Sequence, residues 1–249
     1  MRRIIISIIV FFLGSSIVLA DAVQFYSGGL CNHPAYDCLT ITNVNSWQKL
    51  FPDPIQRDLV QRINRTNRDL RYNIKIAIPR NLASLTIFDV APLPLQIPKS
   101  SGKILIVDQE KLAWAAYDRN GAMVRWGPIA SGKDYCPDVK RSCKTITGIY
   151  YIFNKKDKKC ESNIFPVGEG GAKMPYCMFF YKGFALHGSD EVFGYRDSHG
   201  CVRLFTEDAK WLNEQFVELS TAENNFKGTK VIIQRLKNYR EEDNHDQRQ

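Results

Sequence analysis

The sequence has no H-x-x-x-H and no C-x-x-C spacing, only four histidines in 249 residues, and beyond residue 20 no apolar run long enough to span a bilayer. The missing spacings leave no recognisable metal-ligand pattern, and the missing apolar run leaves no membrane segment after the first twenty residues. Acidic residues are also short: 26 against 34 basic ones give a formal charge of +8. That excess is spread along the chain, so it points to an anionic neighbourhood without singling out nucleic acid, which is not expected as a partner. What is present, 44% hydrophobic and 12% aromatic residues, is enough to bury a core and excludes a wholly disordered chain. The length accommodates one or two domains.

The first twenty residues read as an export signal. Arg2 and Arg3 give a basic start, residues 4–13 are apolar apart from Ser7, and Val18-Leu19-Ala20 supplies small or branched residues where a peptidase would cut. Gly14, Ser15 and Ser16 interrupt the apolar stretch and disfavour an uncleaved spanning helix. Export makes bridged cysteines the expectation for the seven present. Six cysteines admit 15 connectivities. Proximity alone suggests Cys31 with Cys38, Cys136 with Cys143 and Cys160 with Cys177, which leaves Cys201 over.

Residues 21–90 are expected to form a small α+β domain of βααβ order, with β-like runs at 39–44 and 72–78 around a helical region at 47–63 that Pro52 and Pro54 divide. Leu50, Ile55, Leu59, Val60 and Ile63 recur there at helical spacing. Trp47 in the first helix, Ile63-Asn64 near the end of the second and the closing Ile78-Pro79 resemble a LysM module, which implies binding of N-acetylglucosamine-containing glycan. The usual glycine before the second strand is missing, and a small packing domain without ligand is the other reading. Residues 91–102, with Pro92, Pro94 and Pro98, read as an extended linker.

Residues 103–236 read as mainly β. Strands are expected at 103–108, 112–117, 122–126 after the Asn120-Gly121 turn, 148–153, 178–181, 185–187 and 229–236. One helix stands out: Thr206 can cap it, Glu207 and Asp208 suit its first turn, and Ala209, Leu212, Phe216 and Leu219 form an apolar stripe. Residues 237–249 are a polar tail in which His245 is read as solvated.

Chemistry concentrates in H-G-S-D-E-V-F-G-Y-R-D-S-H-G-C-V-R-L, residues 187–204, where His187 and His199 accompany the leftover Cys201. A thiol with an intrinsic pKa of about 8.5 needs a base within reach to become a nucleophile, and His187 can serve if the loop folds back. Backbone N–H groups around Gly200 and Cys201 could bind an oxyanion, since glycine permits close approach. The bland alternatives are an inert or intermolecularly bridged cysteine, core-bonded histidines, a surface Arg203, and a metal held by His187, His199 and Cys201; no metal or organic cofactor is expected.

This block, H-G-S followed by S-H-G-C-V-R-L, resembles the signature of YkuD-type L,D-transpeptidases, cysteine enzymes that remodel peptidoglycan. The likeness includes K-I-L-I-V-D at 103–108, I-A-S-G-K at 129–133, T-x-x-G at 145–148, Met174-Pro175 and G-T-K-V-I-I at 228–233, with Ile146 standing where a proline is usual. The resemblance implies a β-sandwich or barrel-like catalytic domain capped by the helix near Trp211. It implies Cys201 as nucleophile, His187 as base oriented by the Gly188 carbonyl, Ser198, His199 and Gly200 shaping the oxyanion loop, and Arg203, Met174 and Ser189 as substrate contacts. The implied partners are peptidoglycan stems and glycan, a wall-anchored lipoprotein as one acceptor, and carbapenem-type β-lactams as inhibitors; the implied compartment is a periplasm. A catalytically inactive wall-binding module and an L,D-carboxypeptidase are the alternatives, while a papain-like peptidase is disfavoured because His187 precedes Cys201.

Overall fold

The computed structural model describes residues 25–162 and 172–236. The expected export signal at 1–20 and the polar tail at 237–249 lie outside the described residues.

The described residues begin with α1 (Tyr26–Leu30), pass the Cys31–Cys38 disulfide into β1 (Tyr36–Thr40), and continue through α2 (Trp47–Leu50), α3 (Pro54–Asn64) and β2 (Lys75–Pro79). The helices part where the prolines put the break. Pro54 opens α3, where a missing N–H costs nothing, and Asp53 caps it by accepting from the Ile55 and Gln56 amides. β1 and β2 pair antiparallel, and the helices cover them through Trp47, Phe51, Val60, Leu70 and Ile76. Ile55 departs from its expected place in the apolar stripe; in the first turn of α3 it is 74% exposed. The residues carrying the LysM resemblance serve this packing. Trp47 is buried and donates its indole N–H to the Arg68 carbonyl at 2.8 Å. The Asn64 side chain ties α3 to β2, donating to the Val60 and Ala77 carbonyls and accepting from the Ala77 amide, each at 2.8 Å.

Beyond it come β3 (Ile104–Asp108), β4 (Ala113–Tyr117), β5 (Met123–Ala130), β6 (Gly148–Tyr151), β7 (Asn154–Lys155), β8 (Met178–Tyr181), β9 (Phe184–Gly188), β10 (Val202–Leu204), α4 (Thr206–Trp211) and β11 (Lys230–Ile233). The strands form one sheet in the order β6-β11-β3-β4-β5-β10-β9-β8-β7. Its two outermost strands, β6 and β7, are separated in the chain only by Ile152 and Phe153, so the sheet curls until its ends meet. The interior holds Leu105, Trp114, Leu186, Val202 and Leu204 with Ala209, Leu212 and Phe216 from α4 and its continuation. The opposite face of β4 packs Ala113, Ala115 and Tyr117 beneath Leu93 and Ile97 of the linker, which explains why every residue of this strand is buried. Residues 91–102, expected as an extended linker, are bonded to the sheet: the Ile97 amide donates to the Gly121 carbonyl and the Met123 amide to the Leu95 carbonyl, both at 2.8 Å.

Helix α4 differs from expectation at its start. Phe205 occupies the cap position, and the Thr206 hydroxyl donates instead to Asp190 at 3.3 Å. After Trp211 the helix widens into a π-helical turn, Leu212–Phe216. Asp208, expected merely to favour the first turn, is fully buried between Arg62 and Arg125, whose nearest nitrogens each lie 2.8 Å from it. Arg65, at the left-handed end of α3 (φ 58°), donates to the Lys111 carbonyl at 2.9 Å and stacks on Trp126. These contacts dock the N-terminal unit against the large sheet.

Candidate active site

Strands β9 and β10 run parallel, with Val202 opposite Leu186, Arg203 opposite His187 and Leu204 opposite Gly188. Val202 and Leu186 face the interior. By strand alternation Cys201, Arg203, Ala185 and His187 therefore share the other face. Cys201 comes level with Ala185, two rungs before His187, a diagonal of about 8 Å between α-carbons from the usual rise and strand spacing. The curled sheet thus brings thiol and imidazole to one surface from separate strands.

His187 is 3% exposed, and its Nδ1 lies 2.9 Å from the Gly188 carbonyl oxygen. A carbonyl can only accept, so Nδ1 carries the proton and Nε2 keeps a lone pair. Burial pushes the imidazole down to about 4; the Gly188 bond opposes this and the Arg203 charge reinforces it. It is therefore neutral at neutral pH. Gly188 is closely packed: a Cβ there would sit 3.0 Å from the Thr206 α-carbon and 3.2 Å from the Pro175 carbonyl oxygen, so a larger residue requires these neighbours to shift by a few tenths of an ångström.

Cys201 is the one free cysteine among the described residues; Cys31–Cys38, Cys136–Cys143 and Cys160–Cys177 are bridged, as proximity suggested. It packs against Cys160, Met174, Cys177 and Ala185, and its Sγ lies 3.7 Å from the Gly183 carbonyl. Burial pushes the thiol up from 9.0, while the Ala185 backbone and the Arg203 charge pull it back. At rest both groups on this face are neutral, a thiol and an imidazole.

The turn before Cys201 is held from several sides. Ser198 Oγ accepts from the Gly200 amide at 3.1 Å and donates to the Cys201 carbonyl. Gly200 adopts φ +123°, and a Cβ would meet the Phe184 ring at 2.9 Å. Its carbonyl accepts from Thr145 Oγ1, which in turn accepts from the Gly132 amide, both at 2.8 Å. The Ser131 carbonyl accepts from the Asp197 and Ser198 amides at 3.0 Å, and the Lys133 amide donates to the Ser198 carbonyl at 3.1 Å. The 129–133 and 145–148 stretches noted in the sequence are thus the cradle of this turn.

Asp138, which sequence reasoning did not single out, lies within the loop that the Cys136–Cys143 disulfide closes. His199 Nε2 is 2.6 Å from Asp138 Oδ2, a bond that holds this carboxylate below the usual range. The only signal for it was the paired cysteines flanking it. The ligand atoms of Cys136, Cys143 and His199 fall within 4.8 Å of one another, but the two sulfurs are bonded to each other and offer no thiolate.

Arg203 Nη1 is buried, 3.6 Å from Glu191 Oε2 and 3.8 Å from Asp197 Oδ2, without a hydrogen-bond partner among the described residues. Met174 is buried in the cluster beneath Cys201. The Ser189 hydroxyl accepts from the Glu191 amide at 3.0 Å and so closes a local turn.

Residues 102–233, just over half of the chain, match the family YkuD, described as the L,D-transpeptidase catalytic domain. Among solved structures, the chain is similar to an L,D-transpeptidase from Xylanimonas cellulosilytica (TM-score 0.50, 23% identity, covering 71% of this chain and 78% of that one). It is also similar to an L,D-transpeptidase from Stackebrandtia nassauensis (0.41, 22%, covering 55% and 58%). A third is L,D-transpeptidase 3 from Mycobacterium tuberculosis in complex with a faropenem-derived adduct (0.42, 18%, covering 54% and 60%). At such identities the likeness concerns the fold. No curated protein matches the chain.

Proposed function

The chain belongs to the YkuD family of L,D-transpeptidase catalytic domains, and from that membership we propose an exported enzyme that rearranges peptidoglycan tetrapeptide stems through a thioester on Cys201. His187 Nε2 takes the thiol proton as Sγ adds to the carbonyl of the L-centre of diaminopimelate, and the carbonyl oxygen becomes the oxyanion. Collapse expels terminal D-alanine as its amine, which takes the proton from the imidazolium. An amine from a second stem, a free amino acid or a wall-anchored lipoprotein then attacks the thioester, giving up its proton to His187, which passes it to the departing sulfur and so restores the thiol. Water in its place makes the enzyme a carboxypeptidase.

One observation carries the reading: the single unbridged thiol shares a sheet face with a buried imidazole whose Nδ1 is committed to the Gly188 carbonyl, leaving Nε2 as a base. With the Gly200 amide given to Ser198, the Cys201 amide is the donor that this reading assigns to the oxyanion. Arg203, with a buried unsatisfied N–H, suits a stem carboxylate. Three disulfides favour an oxidising compartment, which supports the periplasm. β-Lactams of the carbapenem type, whose strained lactam carbonyl can take the place of the scissile one, are the acylating inhibitors this reading expects.

Purified protein incubated with disaccharide-tetrapeptides tests this. D-Alanine release with a cross-linked dimer supports transfer to a stem, and its replacement by an added amino acid supports exchange. Release with tripeptide alone assigns carboxypeptidase activity, and no release overturns the proposal.

A further inference from the structure

The loop joining His187 to Ser198 is gripped by the N-terminal unit. Arg65 reverses the chain at the end of α3 and sends residues 66–68 along this loop. Thr66 Oγ1 donates to the Val192 carbonyl at 2.8 Å, Thr66 and Phe193 form an antiparallel bridge, and Arg68 lies 4.7 Å over the Phe193 ring. Asn67 makes the closest fit. Its Nδ2 donates to the Ser189 carbonyl at 2.8 Å, its Oδ1 accepts from the Val192 amide at 3.1 Å, and its own amide donates to the Val192 carbonyl at 3.2 Å.

A primary amide presents a donor and an acceptor side by side, so one side chain satisfies two backbone groups of opposite polarity. The two groups that Asn67 holds bracket residues 190 and 191, and the Glu191 carboxylate lies 3.6 Å from Arg203 Nη1. We propose that Asn67 is a positioning residue: by fixing Ser189 and Val192 it sets Glu191 against Arg203 and so aims the guanidinium at the carboxylate of the peptide stem. This rests on the role given to Arg203 under the proposed function. Asn67 lies outside residues 102–233, so the family domain does not supply this control. The N-terminal unit completes the substrate site instead of serving only as a tether.

The test uses the full chain with Asn67→Ala and Asn67→Asp. Hydrogen exchange of the 189–196 segment reads the grip directly, and kinetics of D-alanine release from a tetrapeptide stem and from the same stem amidated at its carboxylates read the recognition. Asn67→Ala is expected to speed exchange in this segment and raise KM about three- to tenfold with kcat held within about twofold. The penalty that amidation imposes on the wild-type KM is expected to shrink in the variant, which a merely structural loss of stability does not produce. Asn67→Asp keeps the acceptor for the Val192 amide and loses the donor to Ser189, so it should fall between, and it carries the test if Asn67→Ala does not fold. Unchanged exchange overturns the grip. Faster exchange with unchanged KM, or with an undiminished amidation penalty, overturns the positioning role. A wild-type chain that releases no D-alanine and leaves Cys201 unacylated overturns the transpeptidase reading itself, and exchange still decides the grip.

Discussion

Arg62 and Asp208 meet as a doubly hydrogen-bonded ion pair, 2.8 Å at each contact, with both side chains buried and a separation of 146 positions along the chain. Burial works against the Arg62 charge, but Asp208 and Asp58 outweigh it and raise its pKa above the ordinary value. The pair joins α3 to α4, the helix packed on the strand that carries His187. Removing Arg62 leaves the buried Asp208 carboxylate with Arg125 as its one remaining ion-pair partner, so Arg62→Ala should destabilise the protein by about 1.5–3 kcal/mol in urea unfolding at neutral pH. Replacing both, Arg62→Met with Asp208→Leu, should recover most of that loss. A single substitution costing under about 1 kcal/mol would show that the pair is solvated in solution.

The His187 imidazole has a folded pKa of about 4 against 6.5 for the free side chain. Between these values the unfolded chain binds a proton that the folded chain refuses. Its contribution to stability is thus complete above pH 6.5 and is lost as pH falls to 4, about 3 kcal/mol in all. Denaturant titrations at pH 7, 5.5 and 4 should show this decline in the wild type and a shallower one in His187→Gln. The acid limb of kcat/KM should fall near pH 4 as well, since it reports the base of the free enzyme. A limb centred between pH 6 and 7 contradicts the buried neutral imidazole.

The Cys136–Cys143 bridge closes the loop whose Asp138 holds His199, two residues before Cys201. Cys136→Ser with Cys143→Ser should lower stability by about 2–3 kcal/mol. It should also slow acylation of Cys201 by a β-lactam more than it raises KM for the stem, because the loop braces the turn and not Arg203. Thiol titration of the unreduced native protein should find one reactive cysteine; three or more would break the pairing scheme.

Gly132 approaches the Cys143 carbonyl so closely that a Cβ would lie 1.8 Å from its oxygen. The backbone atom cannot move as a flexible side chain would, so Gly132→Ala should displace the turn at Ser198 and reduce acylation at least about tenfold. Acylation at the wild-type rate would mean that the 131–133 segment does not set the turn.

Much of this was legible in the sequence because it rests on local signals. Pro52 and Pro54 divided the helices, apolar runs and turn residues marked most strands of the large sheet, and cysteine proximity gave all three bridges. The pairing of Gly188 with His187 followed from the family resemblance. What was hidden depends on long-range packing. Asp208 looked like a helix-start residue because its partners stand far away in the chain, and Thr206 looked like a cap because its bond to Asp190 belongs to a loop. β10, only three residues long, carries no period of its own and exists because β5 and β9 flank it. Asn67 sits in a polar stretch where nothing but tertiary contact distinguishes it, and Asp138 was marked only by its flanking cysteines.

The central claim is that the Cys201 sulfur is acylated with help from His187. Intact-mass measurement after exposure to a carbapenem tests it most directly. One adduct per chain is expected on the wild type and none on Cys201→Ala, with acylation of His187→Ala slowed by about 100- to 10,000-fold. An adduct of undiminished yield on Cys201→Ala would contradict the account.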